Sequence, residues 1–83
     1  MNQQLLADFI RFEAIDYVRE LLLNRIAQCG TGEAIGIRKY EFNRYDVTID
    51  CNSREVTIED DLNPEPDGRG SWSLEEFESA LRR

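Results

Sequence analysis

The side chains in this chain that could do chemistry are mainly carboxylates, and they are concentrated in one quarter of the sequence. Residues 46–67 contain eight acidic residues and one base, Arg54. The first 45 residues carry six acids and six bases, and the last 16 carry three of each. The formal net charge of −7 is therefore a local field, and such a field favours cationic partners and speeds their encounter.

Two parts of this acidic segment have spacings that could hold a metal ion or perform acid–base catalysis. The run Glu59-Asp60-Asp61 could pair carboxylates or bind Mg²⁺, but catalysis needs a buried carboxyl and the end of a strand favours exposure. The segment 63–68 has oxygen ligands at alternate positions followed by Gly68, as a calcium loop begins. Position twelve of that loop is Leu74, however, and two prolines interrupt it. We therefore expect a solvated run and a stiff connector, with no metal ligands.

The composition excludes several classes of function. Without histidine, the chain cannot build imidazole acid–base chemistry, histidine triads or histidine-ligated metal sites. A reducing compartment favours free, buried thiols over a bridge between Cys29 and Cys51. Neither cysteine has an evident base to make a thiolate, so we expect both to serve packing. The sequence thus predicts no enzyme, no catalytic residue and no cofactor.

The charge and hydropathy of the chain predict which partners the protein binds and where in the cell it is found. A basic groove is missing and the acidic segment would repel phosphates, so we expect no nucleic-acid partner. The longest apolar runs are two or three residues, and the first residues lack the pattern of a signal peptide. We expect no membrane partner and a cytoplasmic location.

The N-terminal third has the pattern of helix over 3–28, with Gly30 suited to the left-handed residue past its end. Its apolar residues form two stripes, one in the first half of the segment and one in the second. The second stripe is rotated about the helix axis from the first by roughly 120° or more. Either the helix breaks near Glu13, or it is continuous and its first half is left exposed for self-association about a two-fold axis. The first set is Leu5, Phe9 and Phe12, and the second is Ile15, Val18, Leu22 and Ile26.

Residues 37–60 have the pattern of antiparallel strands, with two-residue turns centred on Asn43-Arg44 and Asn52-Ser53. This pairing sets Tyr40 opposite Val47 and Ile49 opposite Val56, so the large apolar side chains share one face. The other face would be acidic and would form a docking surface for a basic protein. The predicted binding residues are Glu41, Asp46, Asp50, Glu55 and Glu59.

The C-terminal segment carries the clearest local signals. Residues 61–72 hold both prolines and are predicted as loop. Ser73 and Glu76 have the spacing of a capping box, and Trp72 and Phe77 that of a hydrophobic staple, which predicts a helix over 74–82.

Together these patterns predict one small α+β domain over 1–83. Its order is helix or helices, antiparallel hairpin or three-strand meander, then helix, αββ(β)α. The predicted function is a non-enzymatic interaction module such as an inhibitor, an immunity-type protein or an adaptor. The alternative is a homodimeric structural or regulatory domain.

Overall fold

Three helices and four strands make up the fold in the computed structural model, which describes residues 3–63 and 67–83. The α+β class and the helix–strands–helix order are confirmed. In chain order the elements are α1 (Gln3–Phe12), α2 (Asp16–Thr31), β1 (Ile37–Glu41), β2 (Tyr45–Asp50), β3 (Glu55–Asp60), β4 (Arg69–Ser73) and α3 (Leu74–Leu81).

The N-terminal helical region is broken after Phe12, as one of the two alternatives predicted. The backbone N–H groups of Glu13 and Ala14 both donate to the Phe9 carbonyl (2.9 and 3.1 Å), and Ile15 is extended (φ −72°, ψ 173°). The chain therefore turns between α1 and α2, and most of the two apolar stripes meets in one core, while Phe12 and Ile15 beside the turn stay exposed. The end of α2 was predicted wrongly: the helix continues to Thr31, and the left-handed residue is Gly32 (φ 82°) rather than Gly30.

The strands form an antiparallel meander in the order β1-β2-β3-β4. The predicted register is confirmed, with Tyr40 opposite Val47 and Ile49 opposite Val56. The first turn has two residues, since Phe42 N–H donates to the Tyr45 carbonyl (2.9 Å).

The fourth strand corrects the prediction that 61–72 is loop. Gly70 lies opposite Ile58, where the period of two calls for an apolar side chain. The Trp72 indole fills that space, because a Cβ on Gly70 would come within 2.6 Å of the ring. Because Gly70 has no side chain, the segment lacks the alternating apolar pattern of a strand, and β4 was missed for that reason.

Helix α3 follows β4 without a linker and begins as predicted. Ser73 Oγ accepts from Glu76 N–H (3.1 Å), and Glu76 Oε1 accepts from Ser73 N–H (3.1 Å), which completes the capping box. Trp72 and Phe77 are both buried. The cap therefore fixes the junction at which the sheet ends and the helix layer begins.

The core lies between the helices and one face of the sheet. Phe9 packs against the rings of Phe42, Tyr45 and Phe77 at centroid distances of 5.5–6.2 Å. The strands contribute alternate residues to this inner face; those that are fully buried are Tyr45, Val47, Ile49, Val56 and Ile58.

The cysteines are joined in a disulfide, which corrects the prediction of free thiols. Cys29 lies near the end of α2 and Cys51 directly follows β2, with their Cα atoms 5.2 Å apart. This separation is within the usual range for a bridge. The sequence separation of 22 residues gave no sign of their proximity, because it depends on how α2 packs on the sheet.

Candidate functional site

The outer face of the sheet is the candidate site, because every side chain on it is exposed or partly exposed. The strand register places all five predicted binding residues there, as the period of two requires. Two basic residues, Lys39 and Arg69, lie on the same face. With five acidic and two basic residues, the formal charge of the face is −3. The acidic residues are Glu41, Asp46, Asp50, Glu55 and Glu59.

One end of the outer face carries three carboxylates in a row on adjacent strands. Asp46 lies opposite Glu41 on one side and opposite Glu59 on the other. Like charges directly opposed across strands repel one another. Lys39 Nζ offsets part of this repulsion at 3.6 Å from Asp46 Oδ2, and Arg69 lies opposite Glu59. The row retains an excess of negative charge that a cationic side chain would neutralise.

The other end of the face holds Asp50 and Glu55, which are also directly opposed. Asp50 Oδ1 accepts from the backbone N–H groups of Asn52 (2.9 Å) and Ser53 (3.2 Å). These hydrogen bonds, with that of Ser53 the largest contributor, lower the pKa of the Asp50 carboxyl. Asp50 therefore shapes the β2–β3 turn as well as contributing charge.

The β2–β3 turn differs in detail from the prediction. It has four residues, 51–54, between the paired Asp50 and Glu55 instead of the predicted two, and its left-handed residue is Arg54 (φ 59°). The Arg54 guanidinium forms an ion pair with Glu75 of α3, and this pair lowers the pKa of the Glu75 carboxyl. The turn is thereby tied to the first turn of α3.

A row of hydroxyls separates the two acidic ends. Thr48, Thr57 and Ser71 are neighbours across three strands, and Thr57 Oγ1 lies 3.0 Å from Ser71 Oγ. Sequence reasoning missed this row, although Thr48 and Thr57 have the same parity as the acids and were paired in the predicted register. The site is therefore a polar strip with negative charge at both ends.

Asp60 was expected to be part of a solvated run, and it is instead buried at 5% exposure. Arg44 donates to both carboxylate oxygens, from Nε (2.9 Å) and Nη2 (2.7 Å). Leu62 N–H and Asn63 Nδ2 add two more hydrogen bonds, at 2.9 and 2.8 Å. The Arg44 guanidinium, with these donors, holds the pKa of the Asp60 carboxyl below its usual range. All four hydrogen bonds are made within the protein, so Asp60 links the β1–β2 turn to the 61–63 segment.

The predicted self-association residues are not together on the surface. Leu5 (5% exposed) and Phe9 (0%) lie in the core, because the break after α1 folds their stripe onto the sheet. Phe12 is 59% exposed and lines a surface groove with Ile15, Phe42 and Glu41. A self-association face made of all three residues is therefore wrong, although self-association itself stays a prediction.

In residues 3–63 and 67–83, no group of three or more cysteine and acidic side chains has the arrangement to hold a metal ion. The segment 63–68 that resembles a calcium loop lies partly outside those ranges. None of the helices in the part of the chain that the structure describes is long and apolar enough to cross a membrane.

No protein family, curated protein or solved structure matches the chain with significant similarity. A fold class alone does not imply a function, because function depends on the residues of a site.

Proposed function

We propose that this protein is a non-enzymatic interaction module whose outer sheet face binds a basic protein surface. The observation that carries the proposal is the carboxylate row Glu41-Asp46-Glu59, which three adjacent strands present on an uncovered face. Three like charges in register cost stability in the free protein. A cationic partner relieves that repulsion when it binds, so the row favours the complex.

The absence of an enzymatic role is part of the proposal and has its own support. The sequence lacks histidine, and among the described residues Asp60 is the one buried charged side chain. A general acid or base must exchange a proton with a substrate, whereas Asp60 is held ionised by four internal donors. An inhibitor, an immunity-type protein and an adaptor are all consistent with a binding face of this kind.

The binding face can be tested with an arginine- and lysine-rich synthetic peptide as the probe. We expect amide chemical shifts to change mainly on β1, β2 and β3, and affinity to fall steeply with salt, since exposed charges are screened beyond about 10 Å at 0.1 M. Glu55→Lys/Glu59→Lys should slow association strongly. This pair avoids Asp50, whose substitution would also disturb the turn.

The matched control is Glu20→Lys/Glu33→Lys, which changes the net charge equally but lies on exposed positions of α2 and the segment after it. If this control weakens binding as much as the outer-face variant, attraction is due to net charge and the docking face is refuted. Affinity capture from native lysate followed by mass spectrometry then identifies the partner, which must show the same dependence on the face.

The cytoplasmic location remains a proposal that the disulfide makes testable. Cytosolic reductants keep thiols reduced, whereas bridges persist in oxidising compartments. Thiol labelling of Cys29 and Cys51 under denaturing conditions, immediately after rapid lysis, reports their state in the cell. Reduced cysteines support the cytoplasmic location, and a stable bridge in every molecule contradicts it.

A further inference from the structure

The free edge of β1 is a second surface, distinct from the outer face. β1 is an edge strand, and all five of its residues are exposed or half-exposed. Phe42 N–H donates to the Tyr45 carbonyl and Cys51 N–H donates to the Gly36 carbonyl, both at 2.9 Å. Because bonded residues alternate along an antiparallel strand, the backbone groups of Ile37, Lys39 and Glu41 point away from β2.

The opposite edge of the sheet is less available for pairing. By the same alternation, β4 directs the backbone groups of Arg69, Ser71 and Ser73 outward, and the capping box already uses the Ser73 N–H, with Glu76 Oε1 as acceptor at 3.1 Å. β4 also runs directly into α3. An exposed edge strand invites pairing with another chain, so β1 is the edge at which a partner strand would add.

The sequence of β1 is complementary to itself in one register. In a two-fold antiparallel pair centred on Tyr40, Lys39 of each copy lies opposite Glu41 of the other, and Arg38 lies opposite Phe42. Centring the axis on Arg38, Lys39 or Glu41 would instead place that charge opposite its own copy, which is unfavourable. Lysine on an edge usually discourages pairing, and in the Tyr40 register it becomes one half of an ion pair.

Exposed apolar side chains flank this edge. Ile35 (79% exposed) and Ile37 (66%) lie at its start, and the groove containing Phe12 (59%) and Ile15 (66%) lies beside its end. In the Tyr40 register, Arg38 of the second copy reaches Phe42 at the edge of that groove, which also contains Glu13 and Glu41. Such a groove offers a guanidinium both ring contact and opposite charge.

We infer that β1 binds β1 of a second copy of this chain, antiparallel about a two-fold axis at Tyr40. Lys39 and Glu41 are the hydrogen-bonded positions, so each such pair exchanges two backbone hydrogen bonds across the interface. The two sheets become continuous, and their outer faces join into one larger acidic surface. The inference is independent of the proposed function, since its tests use the protein without any cationic partner.

Sedimentation equilibrium on the intact oxidised chain gives the first test. We expect a reversible monomer–dimer equilibrium with a dissociation constant below ~1 mM, since a short edge interface is at the weak end of specific association. A protein that stays monomeric throughout that range overturns the inference.

Charge exchange tests the register. Lys39→Glu and Glu41→Lys should each weaken self-association at least about tenfold, because each places like charges in two symmetric pairs. An equimolar mixture of the two variants should form a heterodimer, because a strand that is acidic at both positions then pairs with one that is basic at both. Circular dichroism checks that both variants are folded. The register is overturned if the mixture does not associate. It is also overturned if each variant alone dimerises as strongly as the parent.

Cross-linking gives a readout that does not depend on charge. Tyr40→Cys should form an intermolecular disulfide under mild oxidation, since directly opposed residues have Cα atoms about 4.5 Å apart at non-hydrogen-bonded positions. Arg38→Cys lies on the same face but should not cross-link, because the two copies of position 38 are roughly 14 Å apart along the strands. Equal cross-linking of both variants overturns the inference. A dimer lost in Phe12→Glu but retained in Lys39→Glu would show that the groove, and not the β1 edge, is the interface.

Discussion

The inner and outer faces of the sheet are built from the same strands, yet they differ in almost every physical property. On β3, Ile58 is fully buried against the helices, while its neighbour Thr57 lies in the hydroxyl row of the open face. The inner face is apolar and tightly packed, and among the described residues its one buried charged side chain, Asp60, accepts four hydrogen bonds from within the protein. The outer face has opposed carboxylates that are exposed or partly exposed. Stability therefore resides on one face, and the capacity to bind a cationic partner on the other.

The largest difference is expected between two adjacent residues of β3. Ile58→Ala should lower the free energy of unfolding by about 4 kcal/mol, because it leaves a cavity in a fully buried site. Thr57→Ala should cost less than about 1 kcal/mol, since it removes one exposed hydroxyl contact to Ser71. Urea denaturation measures both, and similar losses at the two positions would contradict the separation between the faces.

Reduction of the disulfide tests how much of the inner face depends on a covalent tie to the helices. Opening the Cys29–Cys51 bridge, which closes a sequence separation of 22 residues, should cost about 3 kcal/mol through added freedom in the unfolded chain. Denaturation with and without a reductant measures the loss, and Cys29→Ser/Cys51→Ser serves as the control that cannot re-oxidise. Unchanged stability on reduction would show that packing alone holds α2 on the sheet.

The next prediction concerns Asp60, the buried carboxylate of the inner face. Asp60→Asn should cost about 2–3 kcal/mol, because it removes the buried charge partner of Arg44, whose half-exposed side chain can still reach water. Chemical denaturation at neutral pH measures this loss.

The same residue predicts a pH dependence. The folded pKa of Asp60 lies below its usual value, so its stabilisation is complete above about pH 4 and is lost as the pH falls toward the lowered pKa. Asp50 and Glu75 have lowered pKa values as well and act in the same direction. Asp60→Asn should therefore lose less stability than the parent as the pH falls below about 4. An identical acid dependence in both proteins would mean that Asp60 is not ionised in the fold.

The smallest effect is expected on the outer face, and its sign is opposite. Glu55→Gln should raise the free energy of unfolding by a few tenths of a kcal/mol, because it removes the repulsion from Asp50. Thermal unfolding at low ionic strength measures it, and added salt should diminish the gain. A loss of stability at low salt would show that the carboxylates of Asp50 and Glu55 do not repel each other.

Local patterns were sufficient to predict much of this fold. The β1–β2 and β2–β3 register followed from where Tyr40, Val47, Ile49 and Val56 must point, because side chains alternate with a fixed period of two. The acidic face followed from the same period. The capping box of α3 needed only Ser73 and Glu76, since its hydrogen bonds join residues three positions apart.

Features that depend on distant residues could not be predicted in this way. β4 has a glycine where a large apolar residue belongs, and Trp72 compensates for it only once the strand is paired. Asp60 looked exposed in a run of acids, and its burial depends on Arg44, which is 16 positions earlier.

The sequence by itself determined the register of β1, β2 and β3, the sidedness of the sheet and the start of the last helix, because each depends on backbone periodicity or on hydrogen bonds between near neighbours. The tertiary structure decided that the two N-terminal stripes share one core, that Cys29 meets Cys51, and that Leu5 and Phe9 are unavailable to a partner. The physical reason is the turn between α1 and α2, since its direction sets what each helix packs against. That packing joins residues far apart in the sequence, such as Phe9 with Tyr45 and Phe77.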